Sequence, residues 1–279
     1  MAATLAVKGI VLALVLSCVL GPASRAGYAE EFRGFAEIDD FRMYYEVHGE
    51  GDTVLLLHGG TLSGAAAFSR LIPALKSDYK LVVPDSRGHG RSTDSAEPLS
   101  YELLTDNIIE LLDHLEILTV SLVGWSDGGV IGLDIAMRYP ERLHKLIAYG
   151  TNYHRDGLPE DAIEWAKQLS PDTFHPNLAK LVYLDIAPEP DNFGEMINKV
   201  VEMWLSEPTW TTEDLSKIDS PVLIIEDRVG LAVKPDHTFS MVRAIPGAQL
   251  ALVEETNHQA PQEQVTEFSR FVREFLAEK

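Results

Sequence analysis

The chain is almost without cysteine. Its 279 residues include one, Cys18, which falls in an apolar N-terminal stretch, so the remainder holds neither a disulfide nor a thiolate nucleophile. Without paired cysteines, and without an H-E-x-x-H segment, there is no zinc-ligand pattern, and no metal or cofactor is expected. Basic residues are also scarce: 23 Lys and Arg against 43 Asp and Glu leave a formal charge of −20. That field repels phosphate backbones and no basic stripe offsets it, which argues against nucleic acid as a partner. Low-complexity tracts and internal repeats are missing too. Apolar residues at 46% and charged residues at 24% suit a globular protein with a sizeable core. Oligomeric state is not legible in any of this.

The N-terminus carries a separate signal. Lys8 precedes an apolar run over residues 9–20, then a Gly21-Pro22 break and small residues at Ala23, Ala26 and Ala29. A short positive region, an apolar core of about a dozen residues and a small-residue exit predict a secretory signal peptide over residues 1–29. The run is too short for a membrane-spanning helix. Val15-Leu16-Ser17-Cys18 also approaches a bacterial lipoprotein signal, in which Cys18 is acylated; an uncleaved anchor and a mis-assigned start are the alternatives. The expectation is export to the periplasm or beyond, with membrane attachment through this leader alone. Without a working leader the protein stays in the cytoplasm.

From Phe32 onward, short β-rich runs alternate with helical stretches. Residues 35–48 read as a hairpin turning at Asp39-Asp40. The continuous apolar run at 53–57 reads as a strand buried on both faces, and 80–84, 120–123, 143–149, 221–225 and 249–253 read as further strands. Helices are predicted over 65–75, 101–115, 127–139, 234–244 and 262–276 from spacing of apolar residues. Between 151 and 212 the alternation stops and prolines 159, 171, 176, 188, 190 and 208 interrupt a helical, loop-rich segment. Repeated strand–helix units imply an α/β fold, a mostly parallel sheet flanked by helices on both faces. The predicted organisation is a core of residues 32–150 and 213–279, with a small helical cap, 151–212, inserted after the sixth strand.

Gly124-Trp125-Ser126-Asp127-Gly128-Gly129 follows one predicted strand and opens a helix. G-x-S-x-G in that context is a nucleophile elbow: the glycines avoid collisions on a strained turn, and the turn lifts the Ser126 hydroxyl above the sheet edge. His258 follows the strand at 249–253, where a loop can return an imidazole to the serine, and it alone of nine histidines has that chain order. His58 reads as a packing and hydrogen-bonding residue. Ser126 and His258 are therefore the predicted nucleophile and general base.

Over everything after the leader, the chain resembles the α/β-hydrolase superfamily. Asp85-Ser86-Arg87-Gly88-His89-Gly90-Arg91-Ser92 matches the D-x-R-G-x-G-x-S loop common in small esterases and haloperoxidase-like enzymes, where its role is mainly structural. The G-W-S-D-G-G elbow and the loop His58-Gly59-Gly60 resemble the branch of bacterial carboxylesterases and valacyclovir-hydrolase-like enzymes. The resemblance implies an oxyanion hole from the N–H groups of Gly60 and Asp127, each donor contributing about 3 kcal/mol. In valacyclovir-hydrolase-like enzymes the position matching Asp127 helps hold a substrate amino group, although generic esterases carry an acid there too.

One element departs from the family. Its triad carboxylate commonly sits in a G-D-x-D stretch after the strand matching 221–225, where this chain reads Glu226-Asp227-Arg228-Val229-Gly230. Val229 or Gly230 stands where the aspartate belongs. Asp227 is the best remaining candidate, followed by Glu226 and Asp156, and a chain with no proper acid is the alternative. Loss of the acid can lower turnover by about 10⁴-fold without abolishing it. Trp165, Tyr183, Phe193, Met203, Trp204 and Trp210 supply aromatic and apolar surface, of which Trp204 is expected to line a substrate pocket with Trp125. The function expected is hydrolysis of small to medium carboxylic esters or lactones through an acyl-enzyme. The alternatives are a non-catalytic or weakly active ligand-binding protein of the same fold and a cofactor-free haloperoxidase or perhydrolase.

Overall fold

Each apolar run of the sequence forms a strand of one sheet. In the computed structural model, which describes residues 31–278 apart from 171–172, 174–177, 229–231 and 255–257, the strands are β1 (Phe32–Ile38), β2 (Phe41–His48), β3 (Thr53–Leu57), β4 (Lys80–Pro84), β5 (Val120–Trp125), β6 (Leu143–Tyr149), β7 (Val222–Asp227) and β8 (Gln249–Val253). Their order is β1-β2-β4-β3-β5-β6-β7-β8. The pairs β1–β2 and β2–β4 are antiparallel, and all the others are parallel. The predicted leader at 1–29 with Cys18, the Val229-Gly230 pair, and Glu255 to Asn257 beside the histidine lie outside the described residues. No helix among the described residues is long and apolar enough to cross a membrane.

The helices are α1 (Gly64–Ala67), α2 (Leu71–Leu75), α3 (Tyr101–His114), α4 (Asp127–Arg138), α5 (Glu160–Gln168), α6 (Leu178–Ile186), α7 (Phe193–Ser206), α8 (Thr212–Leu215), α9 (Pro235–Ala244), α10 (Ala260–Glu263) and α11 (Val265–Ala277). Alternate side chains of the strands feed two separate cores, as a pleated strand buried on both faces requires. Leu55 and Leu57 of β3 join Ile108, Leu112 and Val130 of α3 and α4 on one face. Val54 and Leu56 join Phe68, Leu71 and Phe268 of the loop after α1, α2 and α11 on the other. Helices α5 to α8 all fall between β6 and β7.

Three boundaries differ from expectation. The single helix predicted at 65–75 is two short helices broken around Phe68 to Arg70. Pro73 accounts for the break: inside one continuous helix its ring would strike the carbonyl four residues earlier, whereas in the first turn of α2 it is tolerated. The last predicted helix likewise divides, with Pro261 in the first turn of α10 and α11 starting at Val265. Strand β7 runs on to Asp227, which pairs with Val253, so that carboxylate sits on the sheet rather than in a loop beyond it.

Two buried cations fasten the frame. Arg87 is fully buried; its guanidinium bonds Asn107 at 3.0 Å and Asp40 at 2.6 Å and lies over the Phe41 ring. With Asp85 accepting from the Gly64 and Arg91 N–H groups, the 85–92 loop is a bracket between β4 and its surroundings. On β6, buried Lys145 donates to the carbonyl oxygens of Phe275, at 2.9 Å, and Glu278, at 2.6 Å, at the C-terminal end of α11.

Candidate active site

Ser126 stands at the C-terminal end of β5, between β3 and β6, in a backbone conformation of φ 56°, ψ −117°. A non-glycine residue in this region is strained, and the surroundings show what holds it there. The Ser126 N–H donates to the Tyr149 carbonyl at 2.8 Å, and its own carbonyl accepts from the Gly129 N–H at 2.8 Å. Gly124 and Gly128 have no room for a side chain: a Cβ at the first would run into the Gly128 backbone, one at the second into the Leu57 backbone. The strand–turn–helix crossing is that tight, which is the physical content of the glycine spacing.

The adjoining cavity has a volume of about 300 Å³ and is lined by Gly60, Trp125, Ser126, Asp127, Gly150, Trp204 and His258, together with Tyr101, Trp165 and Glu207. Ser126, His258, Gly60, Asp127, Trp125 and Trp204, all singled out from the sequence, thus converge on one space. Asp227 does not line it. Of the other apolar candidates, Trp165 stacks on Trp204 at 6.1 Å, whereas Phe193 and Met203 are buried in the core.

Asp127 opens α4, so its own N–H belongs to the first turn, where no intrahelical acceptor exists. Its carboxylate is buried and well supplied with donors: the Tyr101 hydroxyl at 2.9 Å and the Trp204 indole N–H at 2.9 and 3.0 Å. Burial nevertheless raises it to about 6, opposed by Trp204, Tyr101 and the Gly60 amide. A carboxylate engaged by these groups has little accepting capacity left for a substrate ammonium. Gly60 approaches so closely that a Cβ would lie 2.5 Å from both the Asp127 carboxylate and the Trp204 ring. Trp204 therefore ties α7 to the elbow, and Lys199, one turn earlier, bonds Asp94 at 2.9 Å.

The imidazole of His258 is held by packing. Its ring lies 5.5 Å from that of Tyr149 at 30°, and 6.0 Å from Trp125 edge-on. Gly150 (φ +58°) lies directly beneath it. Nδ1 is buried without a hydrogen-bond partner, and burial lowers the pKa of the ring to about 4.

The candidate acids are placed differently. Asp227 accepts the Tyr149 hydroxyl at 3.3 Å on each oxygen, and the same hydroxyl accepts the Ala260 N–H at 3.2 Å. Glu226 is buried, accepts the Asp227 N–H at 3.0 Å, and is pushed up to about 8 by burial and by the neighbouring Asp227. Asp156 is exposed, beside Arg155 and His154. His58 bridges two loops: Nε2 accepts the Ser86 N–H at 2.9 Å and Nδ1 donates to the Gly59 carbonyl at 2.8 Å.

Tyr101, Glu207, Tyr149 and Gly150 escaped the sequence reading. Only Gly150, a glycine directly after a strand, carried a local signal, that of a close approach. Glu207 enters by accepting the Tyr101 N–H at 2.9 Å across 106 residues.

Comparison with known proteins places the chain among hydrolases. Serine hydrolase BPHL of Homo sapiens is 27% identical over 99% of this chain and the whole of that protein. The 2-hydroxy-6-oxo-6-phenylhexa-2,4-dienoate hydrolase of Comamonas testosteroni is 26% identical over 91% of the chain and 98% of that protein. Among solved structures, the meta-cleavage product hydrolase CumD of Pseudomonas fluorescens superposes with a TM-score of 0.74 at 25% identity, covering 87% of this chain and 97% of that one. The relatives are hydrolases, as is this protein. A sequence model of the alpha/beta hydrolase family matches residues 54–271, and the chain belongs to that family.

Proposed function

We propose that the protein hydrolyses small to medium carboxylic esters or lactones through an acyl-enzyme on Ser126. The observation that carries this reading is the strained Ser126 turn at the edge of an apolar cavity that also holds the His258 imidazole. In the first half-reaction neutral His258 removes the hydroxyl proton as Ser126 attacks the carbonyl. The N–H groups of Asp127 and of Gly60, the latter turned from the Asp127 carboxylate it serves in the resting site, receive the developing oxyanion, and protonated His258 gives its proton to the leaving alcohol. Water then repeats the sequence and frees the acid. The helices between β6 and β7 act as a cap whose α5 and α7 bring Trp165 and Trp204 to the acyl or alcohol portion of the substrate. This apolar lining favours uncharged carbon chains or rings.

The partnerless Nδ1 of His258 supports a second reading, a weakly active or purely ligand-binding protein, because an imidazolium there gains no carboxylate. The two readings separate in one experiment. Purified protein is assayed on short p-nitrophenyl esters beside Ser126→Ala, with fluorophosphonate labelling of both. Hydrolysis and labelling lost in the variant support the esterase. Equal, feeble rates and no labelling support the binding protein.

A further inference from the structure

A carboxylate that serves a histidine base usually bonds its Nδ1, fixing the tautomer and stabilising the imidazolium. Here Nδ1 of His258 has no hydrogen-bond partner, while the buried carboxylate nearest in chain position to the family's acid, Asp227, bonds the Tyr149 hydroxyl through both oxygens at 3.3 Å. That hydroxyl also accepts the N–H of Ala260, two residues beyond His258, at 3.2 Å. The face of the same tyrosine lies against the imidazole, 5.5 Å between ring centres and 30° between planes. One side chain thus touches the acid, the segment that carries the base, and the base itself.

Building on the esterase reading, we infer that Tyr149 is the positioning residue for His258. Its ring sets the plane of the imidazole, its hydroxyl anchors the segment that follows the base, and Asp227 acts through that hydroxyl instead of touching Nδ1. The ring environment agrees: burial lowers the His258 pKa, whereas a carboxylate in contact would raise it. The arrangement also accounts for a family member that lacks the usual aspartate after β7. Orientation is supplied by an aromatic face and a hydroxyl, and the imidazolium is correspondingly less stabilised.

The test compares Asp227→Asn, Tyr149→Phe, Tyr149→Leu and the Asp227→Asn/Tyr149→Phe double variant, using ester kinetics, thermal melts and an NMR titration of His258. The relay predicts that Asp227→Asn and Tyr149→Phe each lower kcat about 10- to 100-fold, the cost of a base displaced by about an ångström, with KM little changed. The double variant should be no worse than the poorer single one, because both cut one chain of contacts. Tyr149→Leu, which removes the face as well as the hydroxyl, should fall below Tyr149→Phe. The His258 titration midpoint should stay within half a pH unit on Asp227→Asn.

A loss near 10⁴-fold in Asp227→Asn alone, with a lowered His258 midpoint and Tyr149→Phe close to wild type, would overturn the inference in favour of direct contact. Unchanged kcat in folded Tyr149→Phe and Asp227→Asn would overturn it as well, since packing alone would then suffice. If wild type and Ser126→Ala hydrolyse esters equally, the esterase reading fails. The midpoint in Asp227→Asn and Tyr149→Phe still decides whether the carboxylate touches the imidazole, and if Asp227→Asn does not fold, the Tyr149 pair decides by kcat.

Discussion

Gly150→Ala isolates the geometry of the base. Gly150 has φ +58°, and a methyl built on it falls 2.5 Å from Nδ1 of His258 and closer still to Cε1. To restore ordinary contact the imidazole must retreat by about 1 Å. Tyr149 and Trp125 pack on two of its sides, so the ring retreats toward the cavity it lines and away from the position in which they hold it. A displacement of that size in a proton-transferring group costs about 100-fold in kcat, or about 2.7 kcal/mol. Alanine in the left-handed region adds about 1 kcal/mol of backbone strain, lowering Tm by about 2–4 °C in a domain of this size. Gly247→Ala is the matched control: Gly247 has φ +70° with nothing within 4 Å of the added methyl, so it carries the backbone strain without the collision. Initial rates on p-nitrophenyl butyrate and thermal melts of both variants separate the two effects. Gly150→Ala with kcat within threefold of Gly247→Ala would refute the packing account of His258.

Two other perturbations read out buried groups. Glu226 has a folded pKa of about 8 against 4.5 for a free glutamate, so the folded state binds the extra proton and stability declines as pH rises from about 4.5 to 8; Glu226→Gln, which keeps an acceptor for the Asp227 N–H, should flatten that decline in urea titrations at pH 5 and 8. Trp204→Phe deletes the indole donor to the Asp127 carboxylate and should cost about 2 kcal/mol, a Tm lower by roughly 4–8 °C, and an unchanged melt would mean that the bond stabilises nothing.

What the sequence disclosed was local. The strand runs disclosed themselves because a strand buried on both faces is apolar throughout, as in Val54 to Leu57. The elbow was legible because Gly124, Ser126 and Gly128 recur at a fixed local spacing, although the Leu57 backbone that Gly128 must clear comes from a distant strand. His258 followed from chain order. The rest depends on contacts that no local window contains. Tyr101 reaches Asp127 across 26 residues, Trp204 reaches it across 77, and Tyr149 reaches Asp227 across 78. Tyr149 was invisible for a further reason: it ends a strand whose last four residues are apolar and buried, and an aromatic residue there reads as core until the imidazole is seen lying on it.

The buried ammonium on β6 bears on the order in which the molecule is completed. Ser126, Gly60, Asp127 and the helices carrying Trp165 and Trp204 all precede β7. The imidazole arrives on the segment after β8, an edge strand with a single neighbour, and is secured when α11, which follows it, folds back across the sheet. Carbonyl oxygens at the C-terminal end of α11 converge on the Lys145 charge, which also meets the negative pole of the helix. Ser126 and Gly60 thus precede His258 along the chain, and the helix that follows the imidazole is fastened last. The Lys145 contacts therefore fasten the one stretch of chain that follows His258, far from the cavity itself.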